Sequence, residues 1–299
     1  MSLEIKPLPE LPIQIIDAAE KKQLAIFIGA GLSRFMGCSS WGELAENLLK
    51  KCEIEGLLNN YEKTVLSQNG DFKKTITICS RLLENDERFM DEMRKSLNDE
   101  KVGDASVDLK IYRDLISLNG LIITTNADRH IDKVFLDENI IIDDFDTATP
   151  IDNTHLYKIH GSITDQKSLI FTVEGYLKRY TDPEYGKFLE EIFTKYTVLF
   201  LGYGMSEFEL MDYLFTSIHG TSKKHYFLKD YFTHEQRIYE FEQMYFDDLG
   251  IELIPYAKDA LGFQQLPIVI DQWVQEVKSK TLVLVTNYDD IDDTLGNPL

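Results

Sequence analysis

Leu24-Ala25-Ile26-Phe27-Ile28-Gly29-Ala30-Gly31-Leu32-Ser33 decides the fold. Five apolar residues in succession, too few for a helix and stopped by glycine, read as a strand buried on both faces. The Gly29-Ala30-Gly31 turn and Ser33 can bring backbone N–H groups and a hydroxyl against a phosphate, as at the first strand of dinucleotide-binding folds. A tight turn without a ligand accounts for the same glycines. Arg34 stands where G-x-G-x-x-G has its third glycine, which argues against an ordinary Rossmann dehydrogenase.

Outward from this stretch, apolar runs alternate with helical periodicity. Strands are expected at 121–125, 140–142, 156–159, 197–201, 225–228 and 251–255, with helices around 131–135, 176–180, 188–196, 208–217 and 235–245. That alternation implies an α/β fold, a Rossmann-like parallel sheet with helices on both faces. A short helix opens at Ile15. Leucines and other apolar residues at three- and four-residue steps predict helices over 41–52, 75–83, 88–97 and 109–118, a helical insertion at about 41–120. The expected domain is 1–280. The tail 281–299 begins with an apolar run, 281–286, which suits an edge strand, an arm for a partner or the start of a further domain.

Composition narrows the function classes. The 299 residues are 43% hydrophobic, enough for a substantial core, and carry a net charge of −20. Such a surface repels phosphate backbones, so no direct nucleic-acid binding is expected. The three cysteines, Cys38, Cys52 and Cys79, form no C-x-x-C pair, so neither a zinc ribbon nor a disulfide framework is indicated. No segment has the roughly 18 apolar residues of a membrane helix. A soluble, cytoplasmic protein with reduced thiols is the expectation.

Four expected strands end in polar or glycine-rich clusters: Gly29–Ser33, Asn126–Asp128, His160–Ser162 and Gly202–Ser206. In an open parallel sheet, ligands bind at the carboxyl ends of the strands. Each cluster has a plain structural alternative. Asn126 and Asp128 suit a helix cap, His160 a turn, and Gly202 and Gly204 strand-end bends. Their joint occurrence in order favours a site.

The set Gly29-Ala30-Gly31-Leu32-Ser33, Thr125-Asn126-Ala127-Asp128, His160-Gly161 and Gly202-Tyr203-Gly204-Met205-Ser206 resembles the sirtuin family. It is most similar to the sirtuin-like branch of bacterial antiphage-defence proteins, which hydrolyse NAD. The resemblance spans roughly residues 20–260. It implies that Gly29, Ala30, Gly31 and Ser33 hold the pyrophosphate, Asn126 the ribose and the nucleophile, and Asp128 the nicotinamide carboxamide. His160 is then the general base, Thr125 contributes to the NAD pocket, and Gly202, Gly204 and Ser206 line the adenosine side. Protein-deacylating sirtuins differ. They carry two C-x-x-C pairs for a structural zinc, Gln at the place of Thr125, and Pro-Asp-Phe-Arg where this chain has Ser39-Ser40-Trp41-Gly42.

The chemistry is consistent with that implication. Breaking the nicotinamide–ribose bond passes through an oxocarbenium-like centre, and the protein must position the ribose and admit one nucleophile. Histidine near its ordinary pKa of about 6.5 can take a proton from water or a ribose hydroxyl. An NAD glycohydrolase, with NAD as substrate and no metal, is therefore expected, restrained by homo-oligomerisation or a regulatory partner. The alternatives are a sirtuin-type deacylase or ADP-ribosyltransferase, and a module that binds NAD or ADP-ribose without turnover.

Overall fold

The computed structural model describes residues 4–84, 86–135, 141–142, 150–203 and 225–279. Ile140, Gly204, Met205, Ser206, the expected helix 208–217 and the tail strand 281–286 lie outside the described residues.

The central strand, β1 (Leu24–Ile28), has all five side chains buried, as its unbroken apolar run requires. It pairs in parallel with β2 (Leu121–Thr124) on one side and β5 (Thr197–Leu201) on the other. Among the described residues, strands β3 (Ile141–Ile142), β4 (Leu156–Lys158), β6 (His225–Tyr231) and β7 (Ile251–Ala257) complete a seven-stranded parallel sheet in the order β3-β4-β2-β1-β5-β6-β7. The chain fills the β2 side of β1 first, with β4 inside β3, and then crosses to build β5, β6 and β7 on the other side, so the topological switch point lies at β1 and β5.

Alternate residues of each strand feed two cores. Leu24, Ile26 and Ile28 pack with α1 (Ile13–Glu20), α7 (Lys110–Ile116) and a helix over 265–279 carrying buried Trp273. Ala25 and Phe27 face α9 (Pro183–Lys195) and α10 (Gln236–Asp247) through Leu189, Phe193 and Phe246. At about 1.5–3 kcal/mol for each large apolar side chain buried, these layers supply the main driving force for the sheet.

The interval between β1 and β2 is helical, as expected. A single turn, α2 (Ala30–Ser33), follows β1. Then come α3 (Trp41–Ile54), α4 (Asn60–Ser67), α5 (Phe72–Leu82) and α6 (Glu87–Ser96). Ser40 caps α3 in a reciprocal capping box with Glu43, which fixes where the insertion starts. Leu48, Ile76 and Met93 build a third core that also takes in Ala127, Ile163 and Phe171. The insertion therefore roofs the carboxyl ends of β2 and β4. The expected helix at 131–135 is only a 3-10 turn, Ile131–Val134, and the apolar stretch 169–171 is a loop lending Phe171 to that third core.

Candidate active site

Backbone hydrogen bonds stitch the strand ends together. Gly29 N donates to Leu201 O (2.9 Å) and Gly31 N to Gly202 O (2.8 Å), joining the ends of β1 and β5. A Cβ on Gly31 would stand 2.7 Å from Gly202 O, so this approach requires glycine. On the other side Thr125 N donates to Ile28 O, Ile159 N to Thr124 O and Ile163 N to Ala127 O. The turns after β5, β1, β2 and β4 thus form one continuous rim.

Asn126, Ser33 and Asp128 form a buried network on that rim. Asn126 Nδ2 donates to Gly29 O (3.0 Å) and to Ser33 Oγ (2.8 Å). Ser33 Oγ donates to Asp128 Oδ2 (2.5 Å), so Tyr112, 3.4 Å from Ser33 Oγ, is the donor in that contact. Both protons of the Asn126 amide are engaged, which leaves its Oδ1 as the group offered to a ligand. Asp128 Oδ1 accepts from His130 N at 3.0 Å. Burial, with the Asp128 charge second, raises the Cys38 thiol above its ordinary range.

A cleft, roughly 390 Å³ with the open solvent at its mouth included, lies over this network. Ala30, Ser33, Thr125, Asn126 and Asp128 line it, with Cys38 and the neighbouring rings of Trp41 and Phe171, 5.1 Å apart, as further walls. These five belong to the residues expected from sequence. Gly29, Gly31 and Gly202 form the rim beneath the cleft, where Gly29 N bonds Leu201 O, Gly29 O accepts from Leu32 N and Asn126 Nδ2, and Gly31 N bonds Gly202 O, so the Gly29 and Gly31 amides are not offered to a phosphate.

His160 sits just past the end of β4, almost completely buried, its ring edge-on to Tyr176 of α8 (Val173–Tyr180) at 5.3 Å. Nε2 lies 3.4 Å from the Tyr180 hydroxyl, and Nδ1 has no partner among the described residues. Burial, aided by Arg179 and Lys73, pushes its pKa down to about 3 instead of the ordinary 6.5 expected from sequence, so the imidazole is neutral at physiological pH, and the ring stands beside the residues that line the cleft, not among them. Thr125 Oγ1 is likewise buried without a partner among the described residues. Unsatisfied polar atoms of this kind cost about 1–3 kcal/mol each, and a bound hydroxyl or amide would relieve them.

Lys158 is not among the residues expected from sequence. This lysine, in β4, is completely buried and donates to Asp128 O (2.6 Å) and Asp132 Oδ1 (2.8 Å). It anchors the turn that carries Asp128. A lysine inside an otherwise apolar strand was the available signal, but its partners come from a different strand end. Burial raises the Asp132 carboxyl, and Lys158 opposes that shift. Lys158→Met is expected to cost about 3–5 kcal/mol by stranding Asp132, and Lys158→Met with Asp132→Leu to recover most of it. Denaturant unfolding of the two variants checks this.

Residues 120–254 match the SIR2-like domain family. Over 204 residues the chain is 31% identical to the NAD(+) hydrolase ThsA of Enterococcus faecium. The match covers 64% of this chain and 39% of that protein, so the chain spans about two fifths of this relative.

Proposed function

We propose, starting from the SIR2-like domain this chain carries over residues 120–254, that the chain is an NAD hydrolase. It releases nicotinamide and ADP-ribose, as an effector that depletes NAD once an oligomeric contact or a partner activates it. The observation that carries this reading is the Asn126–Ser33–Asp128 network, held beneath a cleft at the switch point of a parallel sheet.

In this reading the nicotinamide carboxamide sits against Asp128, and the Gly29–Gly31 turn with Ala30 and Thr125 faces the pyrophosphate. Ser33, its proton given to Asp128, acts by fixing that carboxylate and the Asn126 amide. Gly202, at the end of β5, faces the adenosine side. Asn126 Oδ1 accepts from the ribose or from the attacking water. The C1′–N bond breaks, its electron pair leaves with nicotinamide, water oxygen bonds C1′, and His160 takes the released proton.

The test is release of nicotinamide and ADP-ribose from NAD by the purified chain, alongside Asn126→Ala. The variant is expected to lose about 10²-fold in kcat/KM, the scale of a misplaced reacting group, and to stay folded though less stable by about 1–3 kcal/mol, because Gly29 O and Ser33 Oγ lose their donor. Equal turnover would remove Asn126 from the mechanism. Formation of O-acyl-ADP-ribose from an acyl-lysine peptide would favour the deacylase alternative, and NAD binding without cleavage in the assembled, activated state the binding module.

A further inference from the structure

His130 has no role in the hydrolysis scheme, yet it is 1% exposed and neither ring nitrogen has a partner among the described residues. Leaving both nitrogens unsatisfied in the interior is costly, so the site calls for an occupant. One ring nitrogen of His130, Cys38 Sγ and a carboxylate oxygen of Asp128 all lie within 4.8 Å of one another, and all three residues are buried. Thiolate, imidazole and carboxylate form a donor set for zinc and related borderline cations, and three protein ligands leave a fourth position open.

We propose that Cys38, Asp128 and His130 form a binding site for a thiophilic divalent cation of the Zn²⁺ class, and that its occupation closes the cleft to NAD. The binding half stands on the geometry alone, while the inhibitory half rests on the NAD-hydrolase reading. Zinc–ligand bonds of about 2.0–2.3 Å require the three donors to draw together slightly around the ion. Cys38 gives up its S–H hydrogen bond to Leu97 O and loses its proton to solvent as the sulfur–metal bond forms. Asp128 keeps lone pairs for the ion beyond those used by Ser33 and the His130 amide. One thiolate and one carboxylate neutralise the double positive charge. Asp128 then no longer serves the carboxamide, and the ion occupies the wall formed by Cys38.

The experiment is titration of the chelator-stripped whole chain with Co²⁺, followed by absorbance. One equivalent is expected to give a near-ultraviolet sulfur-to-cobalt charge-transfer band with the intense visible bands of a four-coordinate ion. Cys38→Ser should abolish the charge-transfer band, and His130→Gln should weaken binding at least about tenfold. Zn²⁺ should inhibit NAD cleavage by the wild type competitively with NAD, while His130→Gln cleaves NAD normally and resists Zn²⁺. Absence of the band, or identical titrations for wild type and His130→Gln, overturns the site. The band without NAD cleavage in the assembled, activated chain would instead strike the hydrolase reading and leave the metal site standing.

Discussion

His160→Ala is expected to lower kcat/KM for NAD cleavage by about 10²–10⁴-fold, the range for loss of a positioned general base. The pH profile separates this role from a structural one. Burial holds the ligand-free imidazole at a pKa of about 3, so it stays unprotonated as pH falls through the range where an exposed histidine would gain a proton. The acid limb of kcat/KM that belongs to His160 should therefore lie far below 6.5, with activity flat from pH 8 to about 5. Bound NAD brings negative pyrophosphate charge toward the site and favours the imidazolium. The acid limb of kcat should accordingly lie above that of kcat/KM. A kcat/KM inflection near 6.5 that disappears in His160→Gln would refute the buried, neutral state described here.

Linkage gives the same group a signature in stability. The folded pKa lies below the unfolded one, so between about pH 6.5 and 3 the unfolded chain binds the extra proton. The folded state loses about 1.4 kcal/mol per pH unit as pH falls through that window, and the contribution is intact above it. His160→Gln, uncharged at every pH, should flatten this slope in denaturant unfolding.

The strands at the centre of the sheet were the most legible part of the sequence. β1 and β5 were read to the residue because both are apolar on both faces. β6 runs further than its apolar segment, to Tyr231, because its charges are neutralised locally, and β7 follows it in register to Ala257. Lys229 Nζ donates to Glu242 (2.5 Å) and Lys258 Nζ to Asp230 (2.6 Å), pairings that no pattern within one strand discloses. The helix α4 buries no side chain and so shows no apolar stripe, resting instead on the Asn59–Glu62 capping box. The helix over 265–279 went unread because Pro267 interrupts the pattern at its first turn, where a helix tolerates proline. At the site, residue types with chemistry at strand ends were visible, but their partners were not. Ser33 read as a phosphate ligand, whereas its hydroxyl is shared between Asn126 and Asp128. Lys158 and His130 owe their significance to contacts across the sheet, which only the fold creates.

The rim itself makes the second large prediction, and glycine substitutions resolve it into two physical parts. At Gly56, φ is +71° and a Cβ would meet nothing within 4 Å, so Gly56→Ala tests backbone conformation alone and should cost about 1 kcal/mol. At Gly31 the backbone is helical, and the obstacle is the Gly202 carbonyl 2.7 Å from the new Cβ. Gly31→Ala must push the ends of β1 and β5 apart, at about 1–3 kcal/mol, and should raise the KM for NAD because the pyrophosphate turn shifts with it. Gly161 combines both penalties, with φ +75° and a Cβ 2.0 Å from Ser168 O. The nearest obstacle is the Ser168 backbone carbonyl, which cannot yield as a side chain would, so Gly161→Ala should cost more than about 3 kcal/mol and displace His160 from the rim. The expected order of destabilisation in thermal unfolding is therefore Gly161→Ala, then Gly31→Ala, then Gly56→Ala, with NAD cleavage impaired only in the first two. If Gly161→Ala proved no worse than Gly56→Ala, the turn after β4 would not hold the conformation on which the placement of His160 depends.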